Sequence, residues 1–114
     1  MMPFITFKTT KTLTLQQEVS LKEITGQLIS ILPNKSEEYL MIHIEDNQVM
    51  YFRGKELECM KISVQLYKNA DLSYKQTFTK KLIKEVEEIT GIPASQIYLT
   101  IEEFENWGMD GELY

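Results

Sequence analysis

Cys59-Met60-Lys61-Ile62-Ser63-Val64-Gln65-Leu66-Tyr67, followed closely by Ser73-Tyr74-Lys75-Gln76, is the stretch from which the fold is read. Met60, Ile62, Val64 and Leu66 alternate with Cys59, Lys61, Ser63, Gln65 and Tyr67. A period of two sends one row of side chains into a core and the other outward, so this is a half-buried strand. Ser73 to Gln76 has the form of a capping box, in which a hydroxyl and an amide side chain satisfy orphan main-chain donors. Phe78, Leu82, Val86 and Ile89 then recur at helical spacing, and Gly91 with Pro93 supplies the stop. Ile97 to Ile101 alternates once more. The order is strand, capped helix, proline stop, strand.

The same order occurs earlier in the chain. Pro3-Phe4-Ile5-Thr6-Phe7-Lys8 reads as a strand opened by proline, which has no main-chain donor and is tolerated at a strand's first position. Thr14-Leu15-Gln16-Gln17 is a capping box, and Leu21, Ile24, Leu28, Ile31 and Leu32 form the apolar stripe behind it. Gly26 weakens that helix and Pro33 ends it. Tyr39 to Ile44 alternates as a strand, Asp46-Asn47 turns, and Val49 to Phe52 reads as a short extra strand before Arg53-Gly54. The repetition predicts one domain, residues 1–114, containing a pseudo-repeat over roughly 3–54 and 58–104. Each unit is a β-α-β crossover, right-handed in nearly all cases, so both helices lie on the same face of one sheet.

The expected fold class is therefore α+β in two layers, a four-stranded mixed sheet beneath two helices. Leu40, Ile42, Ile44, Ile62, Val64, Leu66, Ile97, Leu99 and Ile101 should face the helices. The other face carries Phe4, Met41, His43, Cys59, Ser63, Gln65 and Thr100. It is too apolar to be left in water and too polar for a second core layer, which predicts another copy against it.

Composition narrows the function. The chain has 114 residues and a net charge of −5, which argues against nucleic acid or an anionic membrane as partner. A single cysteine excludes an intrachain disulfide and favours a reducing compartment. No leader pattern and no bilayer-length apolar run is read, so a cytoplasmic location is expected, with leaderless secretion left open. His43 is the lone histidine, Cys59 has no partner cysteine at Ile62, and the glutamates follow no metal-loop spacing. No phosphate-cradling loop is present. Neither a metal nor a cofactor is predicted.

Met2-Pro3-Phe4-Ile5 with Lys8-Thr9-Thr10, Leu32-Pro33-Asn34-Lys35-Ser36, and Glu45-Asp46-Asn47 with Tyr51-Phe52-Arg53-Gly54 carry a resemblance. Gly91-Ile92-Pro93, Gln96-Ile97-Tyr98 and Asn106-Trp107-Gly108-Met109-Asp110-Gly111 continue it. In this order they resemble macrophage migration inhibitory factor and its bacterial relatives, within the tautomerase superfamily, over essentially the whole chain. The resemblance implies a homotrimer with active sites between subunits and a cytokine-like reading. It implies cofactor-free tautomerase activity on aryl 2-oxo acids such as phenylpyruvate and on dopachrome-like compounds. Pro3 matches the family's catalytic amino-terminal proline, and Lys35 matches the lysine that binds the substrate carboxylate. Tyr67 falls at the apolar position beside the proline, and Tyr98 matches a pocket tyrosine from the adjacent subunit. Thr100 stands in place of a pocket asparagine and Met109 in place of a rim tryptophan. The second cysteine of the family's redox motif is absent, so thiol redox activity is not expected.

The implied chemistry is physically sensible. An α-amino group titrates near roughly 7.7–8.0, and burial beside a cation lowers it toward neutrality. Met1 and Met2 precede Pro3, however, and an acylated proline nitrogen has no basic lone pair. Two readings stand at this point: a tautomerase whose Pro3 is freed by processing, or a silent binding or signalling trimer whose Pro3 is blocked. An RNA-binding sheet of similar topology is disfavoured, because the central strand lacks paired aromatics and basic residues.

Overall fold

Strand β1 (Pro3–Thr9) lies inside the sheet, and its alternating burial explains why. Ile5 and Phe7 are wholly buried on one side, while Phe4, Thr6 and Lys8 point to the other. A computed structural model describes residues 2–114. In it β1 pairs in parallel with β2 (Met41–Glu45) and antiparallel with β3 (Met60–Tyr67), and β3 pairs in parallel with β4 (Ile97–Phe104). The spatial order is β2-β1-β3-β4, so each β-α-β unit contributes an inner strand and an edge strand. Helices α1 (Leu15–Leu28) and α2 (Leu72–Thr90) connect the parallel pairs. They pack on one face over Ile5, Phe7, Ile62, Val64 and Leu66, with Leu21, Phe78, Leu82 and Val86 as their buried stripe. The expected mixed sheet under two helices is the observed fold.

The first helix starts as its sequence predicts. Thr14 Oγ1 accepts from the Gln17 amide at 3.1 Å, and Gln17 Oε1 accepts from the Thr14 amide at 2.9 Å. After Leu28 the chain tightens into a 3₁₀ turn, Ile29–Ile31, before Pro33. The second helix departs from expectation. Its N-cap is Asp71 rather than Ser73, with no side-chain cap bond. Asp71 is the last extended residue, and the Tyr74 and Lys75 amides already donate to its carbonyl. Ser73 is the second helical residue, two positions too far inside to be the N-cap, and its carbonyl accepts from Thr77 Oγ1.

Three further expectations are corrected. The strand over Tyr39 to Ile44 begins only at Met41, because Glu37–Tyr39 forms a 3₁₀ turn. Val49 to Phe52 is not a ladder strand: it has one isolated bridge, Phe52 to Lys55, closing a tight turn with positive φ at Arg53 and Gly54. Cys59 does not lie on the open face; it precedes β3, buried, with its carbonyl accepting from Thr9 Oγ1 at 2.8 Å. Among the described residues no helix is long and apolar enough to cross a membrane.

The two caps make a direct comparison. Thr14→Ala should cost about 1 kcal/mol in urea denaturation, because it removes the hydroxyl that accepts from the Gln17 amide. Ser73→Ala should stay within about 0.5 kcal/mol of wild type. Equal losses would contradict this account of where the helices begin.

Candidate active site

The antiparallel register of β1 on β3 sets Pro3 opposite Leu66. Tyr67, the last residue of β3, is therefore the next residue beyond Pro3's partner. Lys35 is brought to the same place by a local turn. Leu32, buried, starts it; Pro33 follows, Asn34 adopts φ 61°, and the Lys35 amide donates back to the Leu32 carbonyl at 3.2 Å. Proline second and a left-handed residue third is the chemistry of a type II turn. From there Lys35 Nζ donates to the Tyr67 carbonyl at 3.1 Å. A half-buried cation is thus held one residue from the partner of Pro3.

Above Pro3 is a cavity of about 500 Å³ on the open face of the sheet. Phe4, Met41, Gln65 and Phe104 supply one side chain from each of the four strands, and Trp107 and Met109 roof it. The roof is a hairpin of β5 (Gly108–Met109) and β6 (Glu112–Leu113), turned by Asp110 and Gly111 at positive φ. Asp-Gly is a strong hairpin signal in the sequence itself. A second cavity of about 280 Å³ adjoins, lined by Met2, Tyr39, Tyr67, Lys68, Met109 and Tyr114. Met2, Tyr39 and Met109 line both.

Pro3, Lys35, Tyr67 and Met109 therefore converge, with Lys35 behind Tyr67 rather than in the cavity wall. Tyr98 and Thr100 do not join them. They face outward from β4 opposite Lys61 and Ser63, and Tyr98 stacks edge-on with Phe52 at 5.3 Å. Six residues separate Tyr98 from Phe104, about 20 Å of strand at roughly 3.3 Å per residue, so Tyr98 cannot reach this chain's own Pro3. Tyr39, Phe104 and Lys68 are not singled out from the sequence, and Met2 and Trp107 are named only as part of the chain's motifs, not as cavity walls. Only the aromatic character of Trp107 and Phe104 hinted at a cleft.

Met2 is bonded to the Pro3 nitrogen, and its side chain is 5% exposed. With Met2 in place the nitrogen is an amide and the two cavities share a thioether partition. A larger hollow of about 560 Å³ lies at the far end of β1, around Thr10, Gln48 and Glu58. It is lined by loop residues and touches none of the groups gathered at Pro3.

Beside Lys35 lies one perturbed carboxyl. Burial raises the Glu103 pKa, but the hydrogen bonds from Lys75 (2.9 Å) and the Ala70 amide (2.7 Å), with the charges of Lys75 and Lys35, outweigh it and lower it below 4.5.

The fold and cleft meet a known family here. The family model described as Macrophage migration inhibitory factor (MIF) matches residues 2–112. The chain belongs to that family and has the tautomerase-superfamily fold. A crystal structure of Leishmania major MIF2 is similar at 21% identity and TM-score 0.91, covering 99% of this chain and 97% of that one. A homologue from Prochlorococcus marinus is 24% identical with TM-score 0.86, covering 96% and 97%. Pt0534 inactivated by 2-oxo-3-pentynoate is 19% identical with TM-score 0.82, covering 95% and 93%. A comparison with curated proteins gives no match.

A lowered folded-state pKa stabilises the fold above the unfolded value and loses that contribution as pH falls through the folded one. Glu103→Gln should therefore be less stable than wild type at pH 7, with the gap closing below pH 4.5. A pH-independent gap in urea denaturation would contradict the assignment.

Proposed function

We propose that this protein is a cofactor-free keto–enol tautomerase for small aryl 2-oxo acids of the phenylpyruvate and dopachrome type. Membership of the family supports tautomerase-type chemistry in general. The observation that carries the finer reading is the convergence of Pro3 and Lys35 on the apolar cleft through the Leu66–Tyr67 strand end. The Pro3 nitrogen, once Met1 and Met2 are removed, is the general base. It takes a proton from the carbon beside the ketone, and the enolised carbonyl oxygen receives one in return. The Lys35 ammonium, held on the Tyr67 carbonyl in the empty cleft, turns to anchor the carboxylate when substrate enters, Tyr67 forms the wall beside the base, and Met109 is an adaptable rim. The inactivation of Pt0534 by a 2-oxo acid agrees with this substrate class.

The active assembly is a homotrimer, in which Tyr98 and Thr100 act at a neighbour's Pro3. Residues 49–52 support association: Val49 is 84% and Tyr51 66% exposed in an apolar segment that has no ladder partner among the described residues. Both sheet edges, β2 and β4, are also unpaired. We place the protein in the cytoplasm, with the whole chain as one duplicated domain.

A second reading, a silent binding or signalling trimer, is favoured by one observation, the burial of Met2 in the cleft. The two readings separate experimentally. A chain beginning at Pro3 should speed loss of phenylpyruvate enol by about 10²–10⁴-fold through general-base action, and one retaining Met2 should not. Pro3→Gly should fall well below the Pro3 chain. Equal rates in all three would end the tautomerase reading. Sedimentation should give three times the 13.4 kDa chain mass; a monomer would remove the shared site.

A further inference from the structure

Lys68 holds a left-handed backbone beside the smaller cavity, one of five non-glycine residues that do so among the described residues. It follows the last residue of β3 and has φ 66°, a region that glycine enters freely and a lysine rarely does. Its main chain is pinned there, because its amide donates to the Phe104 carbonyl at 2.8 Å. The side chain makes no ion pair among the described residues. It lies over the Tyr67 ring, 5.3 Å from the centroid, and lines the smaller cavity. Strain held at a cleft is an observation from which a role can be argued.

Tyr67 therefore carries two cations, Lys35 on its carbonyl and Lys68 on its ring. A third, Lys75, is already neutralised by Glu103 at 2.9 Å. In a chain of net charge −5, two unpaired ammonium groups at one residue beside the cleft form a local positive field. Met2 lines both cavities together with Tyr39 and Met109, so removing it enlarges the space between Pro3 and Lys68.

We infer that Lys68 is a specificity-determining residue that binds a second anionic group on the substrate, selecting 2-oxo acids that carry a further carboxylate. The inference rests on the proposed tautomerase reading for its substrate but not for its binding site. Lys35 takes the carboxylate next to the ketone and Lys68 the distal one. The aromatic walls of Tyr39 and Tyr67 hold the part between.

The test compares phenylpyruvate with 4-carboxyphenylpyruvate on the processed chain that begins at Pro3. Wild type should prefer the dianion, and Lys68→Gly should reduce that preference by about fivefold through KM with kcat kept, a size set by a partly exposed ion pair. Glycine accepts φ 66° without strain, so the variant folds, and Lys68→Arg should restore the preference. Calorimetric binding of the unreactive 3-phenylpropionate and its 4-carboxy analogue is read separately from turnover. Lys68-dependent dianion binding without turnover would remove the tautomerase reading and keep the anion site. No dianion preference in wild type, or the same preference in Lys68→Gly, overturns the inference.

Discussion

The register of β1 against β3 is the constraint on which the cleft depends. It pairs Pro3 with Leu66, so that Tyr67 and Lys68 emerge immediately beside the proline. A slip of one residue would exchange the two faces of β1 and send Ile5 and Phe7 out of the core. The register is held by burial: Ile5, Phe7, Ile62, Val64 and Leu66 are all at or near zero exposure on the helix side. Fully burying such side chains stabilises by about 1.5–3 kcal/mol each, far more than any single cleft contact. The core thus fixes where the cleft lies.

The cleft combines apolar walls with displaced charge. Phe4, Met41, Phe104 and Trp107 lower the local polarity around Pro3, which disfavours a protonated amine. Lys35 adds a cation without entering the cavity, because the Tyr67 carbonyl holds it at the back. Glu103 would otherwise compete for that cation, but Lys75 and the Ala70 amide occupy its oxygens. Met2 is the one element that opposes this arrangement, since it acylates the nitrogen and fills the space.

Periodicity made most of the fold legible. The β3 alternation and the Thr14 cap are local signals, and both are realised. Ser73 misled because a serine followed three residues later by glutamine has the form of a cap wherever it falls; the true boundary is set by Asp71 ending the extended strand exit. Val49 to Phe52 is a short apolar run that reads as a strand, but hydrogen bonds need a partner, and among the described residues no strand pairs with it. Pro3, Lys35, Tyr67 and Met109, named from motif resemblance, lie together on this chain, while Tyr98, expected to serve a neighbouring subunit, and Thr100 lie farther along β4. Lys68 was invisible, because a positive φ at a lysine leaves no mark in a sequence.

The central claim is that the ring nitrogen of Pro3, when unacylated, is a neutral base at physiological pH. Protein beginning at Pro3 and labelled with ¹⁵N-proline, titrated by NMR, measures this directly. The account requires a midpoint below the ordinary α-amino range of about 7.7–8.0, set by apolar walls and the Lys35 charge. A midpoint within or above that range would contradict it.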